Sequence, residues 1–157
     1  MTKEQKQDYT LRITQANRSG IIVLVYEIAL SYIDSALEAH KRGDMEAFGA
    51  NCRYANNCVG DLLESLNFDY EPAYPLMRIY VYLSKLLALA PIKKDAGSVE
   101  VVKRLMGKLK KSFEDIAAQD DSEPLMSNTQ DVYAGLTYGK TSLNENIGGG
   151  TNRGFTV

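Results

Sequence analysis

Apolar residues along this chain recur three and four apart in long runs, and nowhere do they alternate as a half-buried strand would require. The densest run, GIIVLVYEIALSYI from Gly20 to Ile33, holds only Glu27 as a polar residue between Ile21 and Leu30. Asn17 is a good N-cap residue. After it, Ile21, Ile22, Leu24, Val25, Ile28, Ala29, Tyr32, Ile33, Ala36 and Leu37 keep helical spacing up to Gly43, which predicts a helix over Arg18–Arg42. Asp44 caps a second helix with the stripe Met45, Phe48, Cys52, Ala55, Val59, Leu62, Leu63 and Leu66. The break NFDYEPAYP carries two prolines suited to the first turn of a third helix, Leu76–Ala90, which stops at Pro91. Ser98 opens a fourth, with Val99, Val102, Leu105, Met106, Leu109, Phe113 and Ile116 inside and most of its lysines outside.

Short links between long helices favour antiparallel neighbours, so the expected fold is all-α, an antiparallel up-down four-helix bundle over residues 1–118. Residues 1–16 form an arm or cap. Residues 119–157 change character: they are rich in Gly, Ser, Thr, Asn and Asp, and read as a flexible tail.

Composition narrows the function. The 157 residues are 45% hydrophobic and 24% charged, ordinary for one domain with a tail. The net charge is −2, with +1 on residues 1–118 and −3 on the tail, and no nucleic-acid partner is expected. A membrane span needs about 20 mostly apolar residues. Glu27, Asp34 and Glu38 interrupt the apolar run, so no membrane insertion is expected. MTKEQKQDYTLRITQANRSG carries mixed charges and no small-residue cleavage site, which places the protein in the cytoplasm. Cys52 and Cys58 stand six apart on one helix, about 120° around its axis, and read as two buried thiols rather than a pair.

No constellation supports catalysis. A di-iron bundle site needs two Glu-x-x-His pairs, and the only histidine, His40, has Leu37 three positions before it. No metal and no cofactor are expected, and His40 reads as a capping or exposed group at a helix C-terminus. GLTYGKT, Gly135–Thr141, resembles the end of a phosphate-binding loop, but its glycine is one residue late and no strand precedes it. The protein is therefore read as a non-enzyme. What remains is a surplus of apolar surface on the first and third helices, beyond the three positions in seven that a bundle helix needs. It fits a deeply buried helix pair, a groove for an apolar helix of another protein, or the homodimer interface of a structural or signalling bundle.

The stretch YTLRITQANRSGIIVLVYEIALSYIDSALEAHKRGDMEAF, Tyr9–Phe48, resembles the start of the FliS family of flagellin export chaperones. That family opens on a tyrosine, a short extended stretch ending in a hydrophobic residue, and Thr-Ala-Ser/Thr-Pro, then a helix of pattern Leu-x-x-Met-Leu-Tyr-Asp-Gly-Ala and a closing Gly-Asp. Tyr9, Ile13, Ala16 and Asn17, then Ile21, Leu24, Val25, Tyr26 and Ala29, and finally Gly43-Asp44, follow it. Gln15, Arg18, Glu27 and Ile28 depart from it. The likeness runs to about Ala118.

The resemblance implies a cytoplasmic chaperone that binds the disordered C-terminal segment of flagellin, which turns helical along the bundle. Binding prevents premature polymerisation, and the subunit is delivered to the flagellar type III export apparatus. Components of the export gate are further expected partners, and the oligomeric state is expected to be a monomer or a weak homodimer. The expected partner-binding residues are Tyr9, Leu11 and Ile13 of the arm, Ile21, Leu24, Val25 and Ile28 of the first helix, and Tyr80 of the third. The arm is expected to pack over the groove, with the tail residues Val132, Leu136, Leu143 and Ile147 as second candidates.

Overall fold

The computed structural model describes residues 3–126. Among them are five helices and no strand: α1 (Lys3–Gln15), α2 (Arg18–Lys41), α3 (Met45–Glu64), α4 (Ala73–Lys93) and α5 (Ala96–Ala117). The phosphate-loop-like Gly135–Thr141, the four apolar tail residues and most of the 119–157 segment lie outside the described residues.

A single seam on each of four helices makes the core. It consists of Tyr26, Ala29, Ile33 and Ala36 on α2, Phe48, Cys52, Ala55, Val59 and Leu62 on α3, Tyr80, Leu83, Leu87 and Ala90 on α4, and Val99, Val102 and Met106 on α5. The steps are three and four throughout, a mean period of about 3.5, which keeps a seam facing its neighbours in the manner of a coiled coil. Helix α2 rests on α3 and α5, and α4 rests on the same two. Asp34 meets Lys103 at 2.7 Å and Glu27 meets Lys110 at 3.7 Å, so α2 and α5 run in opposite directions. Three alanines on α2 (Ala29, Ala36, Ala39) let neighbouring backbones come close.

Local chemistry sets the boundaries. Asn17 takes an extended conformation and its Oδ1 accepts from Gly20 N–H at 2.9 Å, starting α2. A Cβ on Gly20 would stand 3.0 Å from that same oxygen, a tight contact that glycine avoids. Gly43, at φ +76°, turns the chain out of α2 into the Asp44 cap of α3. Between α4 and α5 only Lys94 and Asp95 intervene, Lys94 in the left-handed region at φ 54°.

The turns differ from expectation in three places. The third helix begins at Ala73 and runs through Pro91 to Lys93, because a proline in the last turn forfeits one backbone bond without stopping the chain from coiling. The fourth starts at Ala96 with Asp95 as its cap, accepting from Ser98 N–H at 3.2 Å, so Ser98 is the third helical residue rather than the opener. His40 does not hang in solvent: Nε2–H donates to the Lys94 carbonyl at 3.1 Å and its ring stands edge-on to Phe48. It thereby braces the strained turn between α4 and α5.

The arm is also a surprise. The stretch that the resemblance makes an extended leader is the helix α1, free of Gly and Pro and carrying an Asp8–Arg12 pair one turn apart at 3.8 Å. At the other end, Gln119–Met126 returns to the α1–α2 junction. Asn17 Nδ2 donates to the carbonyls of Asp120 (2.9 Å) and Ser122 (3.3 Å), Ser19 Oγ donates to the Asp120 carboxylate, and Leu125 N–H donates to Ala16 O (3.2 Å). The bonds from Ser122 and Ser19 hold the Asp120 carboxyl below the usual carboxylate range.

Length alone does not exclude a membrane span, contrary to expectation. Helices α2 and α4, at 24 and 21 residues, are both long and apolar enough to cross one. In the fold both give a seam to the shared core, and two acids of α2, Glu27 and Asp34, meet lysines of α5.

One polar contact lies inside the core. The hydroxyls of Tyr26 and Tyr80 bond each other, and Phe113 stands against the Tyr26 ring at 5.4 Å between centroids. Burial and this bond push the Tyr26 phenol far above its ordinary range. Changing either tyrosine to phenylalanine strands the other hydroxyl in an apolar site and is expected to destabilise the fold by about 1–3 kcal/mol. The double variant Y26F/Y80F should recover most of the second loss. Urea denaturation of all four proteins checks this, and simple additivity of the two single effects would refute it.

Candidate partner-binding groove

At one end of the helix set, four chain segments leave an apolar groove of about 610 Å³. Helix α2 contributes Arg18, Ser19 and Ile22 from its first turn, and the α3–α4 connection contributes Leu66, Tyr70 and Pro72. Ala73, Leu76 and Tyr80 come from the start of α4, and Phe113 and Ile116 from the end of α5. At this end α3 stops at Glu64 and eight residues pass before α4 begins, so among the described residues no helix fills the gap. At its floor lies Tyr80, whose hydroxyl is hydrogen-bonded to that of Tyr26 in the core behind it. Its rim is exposed and aromatic. Tyr70 is 67% exposed, Ile116 54%, and Phe68 and Tyr74 form an exposed ring pair at 5.3 Å.

A second cleft, about 750 Å³, runs between α1 and α2 and is polar, lined by Gln5, Tyr9, Glu27, Ser31, Asp34, Ser35, Glu38, Arg42, Asn51 and Lys110 among others. Glu27 organises it. Its carboxylate takes Arg12 of α1 at 2.8 Å and Lys110 of α5 at 3.7 Å, while Lys110 also meets Glu114 at 2.8 Å. The bond to Glu114 foremost, with Glu27 adding to it, raises the Lys110 ammonium above its usual range. Partial burial, then the charge of Glu27, raises the Tyr9 phenol. A third, smaller cleft of about 460 Å³ separates α1 from the end of α5, with Arg12, Gln15, Ala16 and Leu24 among its walls.

The predicted site residues fall into three groups. Tyr80 is 1% exposed at the groove floor, and Leu24, 4% exposed, belongs to the interior. Val25 and Ile28 are half-buried and packed against the core, and Ile21, also half-buried, adjoins the groove residue Ile22. The arm residues lie on α1: Tyr9 lines the polar cleft, Ile13 is half-buried and Leu11 is 58% exposed. The structure thus puts the arm's Tyr9 over the α2–α5 face, whereas the apolar groove opens at the end of the helices. Leu66, Tyr70, Leu76, Phe113 and Ile116 were not singled out as binding residues. The signal was present in NFDYEPAYP, where three aromatic residues occupy a connection that a mere turn would fill with polar ones.

Cys52 and Cys58 are free, and burial pushes both thiols up to about 11, which keeps them unreactive at neutral pH. No three His, Cys, Asp or Glu side chains among the described residues converge on a metal position.

Residues 1–120 match the family described as flagellar protein FliS, and the chain belongs to that family, one of flagellar chaperones rather than enzymes. Among curated proteins, none matches the sequence.

Helix α1 buries no residue completely, so its attachment leans on the Arg12–Glu27 bond and partial apolar cover. A pair of this exposure contributes roughly 0.2–1 kcal/mol. Arg12→Ala should therefore speed amide exchange in α1 by up to about fivefold and leave α3 unchanged. Raised salt should do the same to the native chain. Equal exchange in both proteins would show that the arm is held by its apolar residues instead.

Proposed function

We propose that this protein is a cytoplasmic export chaperone whose end groove receives the disordered C-terminal segment of flagellin as an amphipathic helix, masks the surface that drives polymerisation, and hands the subunit to the flagellar type III export apparatus. Helices α2–α5 serve as an antiparallel up-down four-helix bundle that holds the groove open. The observation that carries this reading is the groove itself: apolar walls, Tyr80 at the floor held by its bond to Tyr26, and an exposed aromatic rim in a chain of the FliS family.

Physics supports such an exchange. A disordered segment loses chain entropy as it orders, and the compensation is apolar burial at roughly 25 cal/mol per Å². Tyr70, Ile116 and Tyr74 are exposed in the free protein and have that surface to give. The volume of about 610 Å³ accepts several side chains from one face of a helix, and the absence of convergent charges beyond Arg18 suits an apolar stripe. Tyr9, Leu11 and Ile13 on α1 extend the partner surface along α2, with Ile21, Val25 and Ile28 beneath.

Titration of the protein with the flagellin C-terminal segment from its own genome, followed by calorimetry and circular dichroism, should give saturable binding with gained helicity. Tyr70→Ala combined with Ile116→Asp, both exposed positions, should weaken it at least about tenfold without loss of fold. A folded protein that leaves the segment unbound and unstructured would overturn the proposal. A chain lacking residues 1–15 that binds normally and stays as soluble would remove α1 from the partner surface.

A further inference from the structure

Two walls of the end groove, the start of α2 and the end of α5, belong to helices with no chain connection to each other there. The short turns after α2 and α4 both lie at the opposite end, where His40 meets Lys94. The ion pairs between α2 and α5, Asp34–Lys103 and Glu27–Lys110, stop at Glu27. From Glu27 back to Arg18 is roughly 13 Å of helix. Along it the Tyr26–Phe113 ring contact is followed only by hydrogen bonds to the segment after α5. In that segment Gln119 and Asp120 N–H donate to the carbonyls of Ile116 (3.1 Å) and Ala117 (3.2 Å), which ties Asp120 to the last turn of α5. The Asp120 carboxylate accepts from Ser19 Oγ and from Ser122 N–H at 3.1 Å, at the N-terminal end of α2, where negative charge is favoured. Its carbonyl takes Asn17 Nδ2. Ser19 and, one turn on, Ile22 line the groove, as does Ile116, four residues before Asp120.

We infer that Asp120 is a positioning residue for the groove: by fastening the end of α5 to the start of α2 it sets the spacing between Ile22 and the Phe113–Ile116 wall, and with it the affinity for the partner. The inference rests on the groove being the site of the flagellin segment. Asp120 is not itself a lining residue of the groove and acts through Ser19 and Asn17. Further along, Leu125 N–H donates to Ala16 O, and Ala16 belongs to the third cleft rather than to the groove. The returning segment is therefore a fastening and not a further wall.

The test compares the full native chain with Asp120→Ala and Asp120→Asn in two measurements: affinity for the flagellin C-terminal segment, and amide exchange in the free protein. Asp120→Ala should lose about three- to tenfold in affinity. Its amides should exchange faster in Arg18–Ile22 and Phe113–Ala117, with α3 unchanged. Asp120→Asn, whose side-chain oxygen still accepts from Ser19 and Ser122, should recover most of both. Native affinity in Asp120→Ala would overturn the inference, even with faster exchange, because the fastening would then be structural only. Weaker binding with unchanged exchange would also overturn it, since Asp120 would then touch the partner directly. So would a Leu125→Ala/Met126→Ala variant as weak as Asp120→Ala with no rescue by Asp120→Asn, which would make the segment a contact surface. A native chain that leaves the flagellin segment unbound, while Asp120→Ala still frees both helix ends, would sink the flagellin reading and leave the fastening standing.

Discussion

A straight helix can bury only one seam against a pair of neighbours, and α2 carries far more apolar surface than one seam can use. That limit decides what the rest of the chain does. Tyr26, Ala29, Ile33 and Ala36 go inward against α3 and α5. Ile21, Ile22, Val25 and Ile28 are left half-covered on the flanks. One flank is roofed by α1, which is fastened through Glu27 rather than buried. The other end stays open, where the α3–α4 connection is too long and too aromatic to close over Ile22 and Phe113. The arm and the groove are two answers to the same surplus.

The tyrosine pair shows how two hydroxyls are accommodated inside a core of aliphatic side chains. Two hydroxyls that satisfy each other fix the rotation of both rings, which apolar packing alone would leave freer. Phe113 completes the stack from α5. Around the groove the exposed side chains are aromatic, with Phe68, Tyr70 and Tyr74 turned to solvent.

Much of the helix layout was legible because the seams repeat at three and four in the sequence itself: Phe48, Cys52, Ala55, Val59 and Leu62 read as buried, and they are. Caps were legible where one residue type dominates, as at Asn17 and Asp44, and misread where two candidates compete, as with Asp95 and Ser98. The helicity of the arm was hidden because family likeness suggested an extended leader, while its own lysines, glutamines and leucine favour a helix. The site was only half legible. A helical pattern reveals which residues of one helix share a face, so it pointed to α2. It cannot reveal that Leu66, Leu76 and Ile116, far apart in the chain, end beside one another.

Asn17 joins the two extremes of the described chain. Its oxygen starts α2 while its nitrogen holds the carbonyls of Asp120 and Ser122, 103 and 105 residues downstream. The groove beside it likewise takes walls from Arg18 and from Ile116. On the ribosome, then, a nascent chain has no groove until the last turns of α5 have emerged and folded back, and a chain cut short before Phe113 lacks one of its walls.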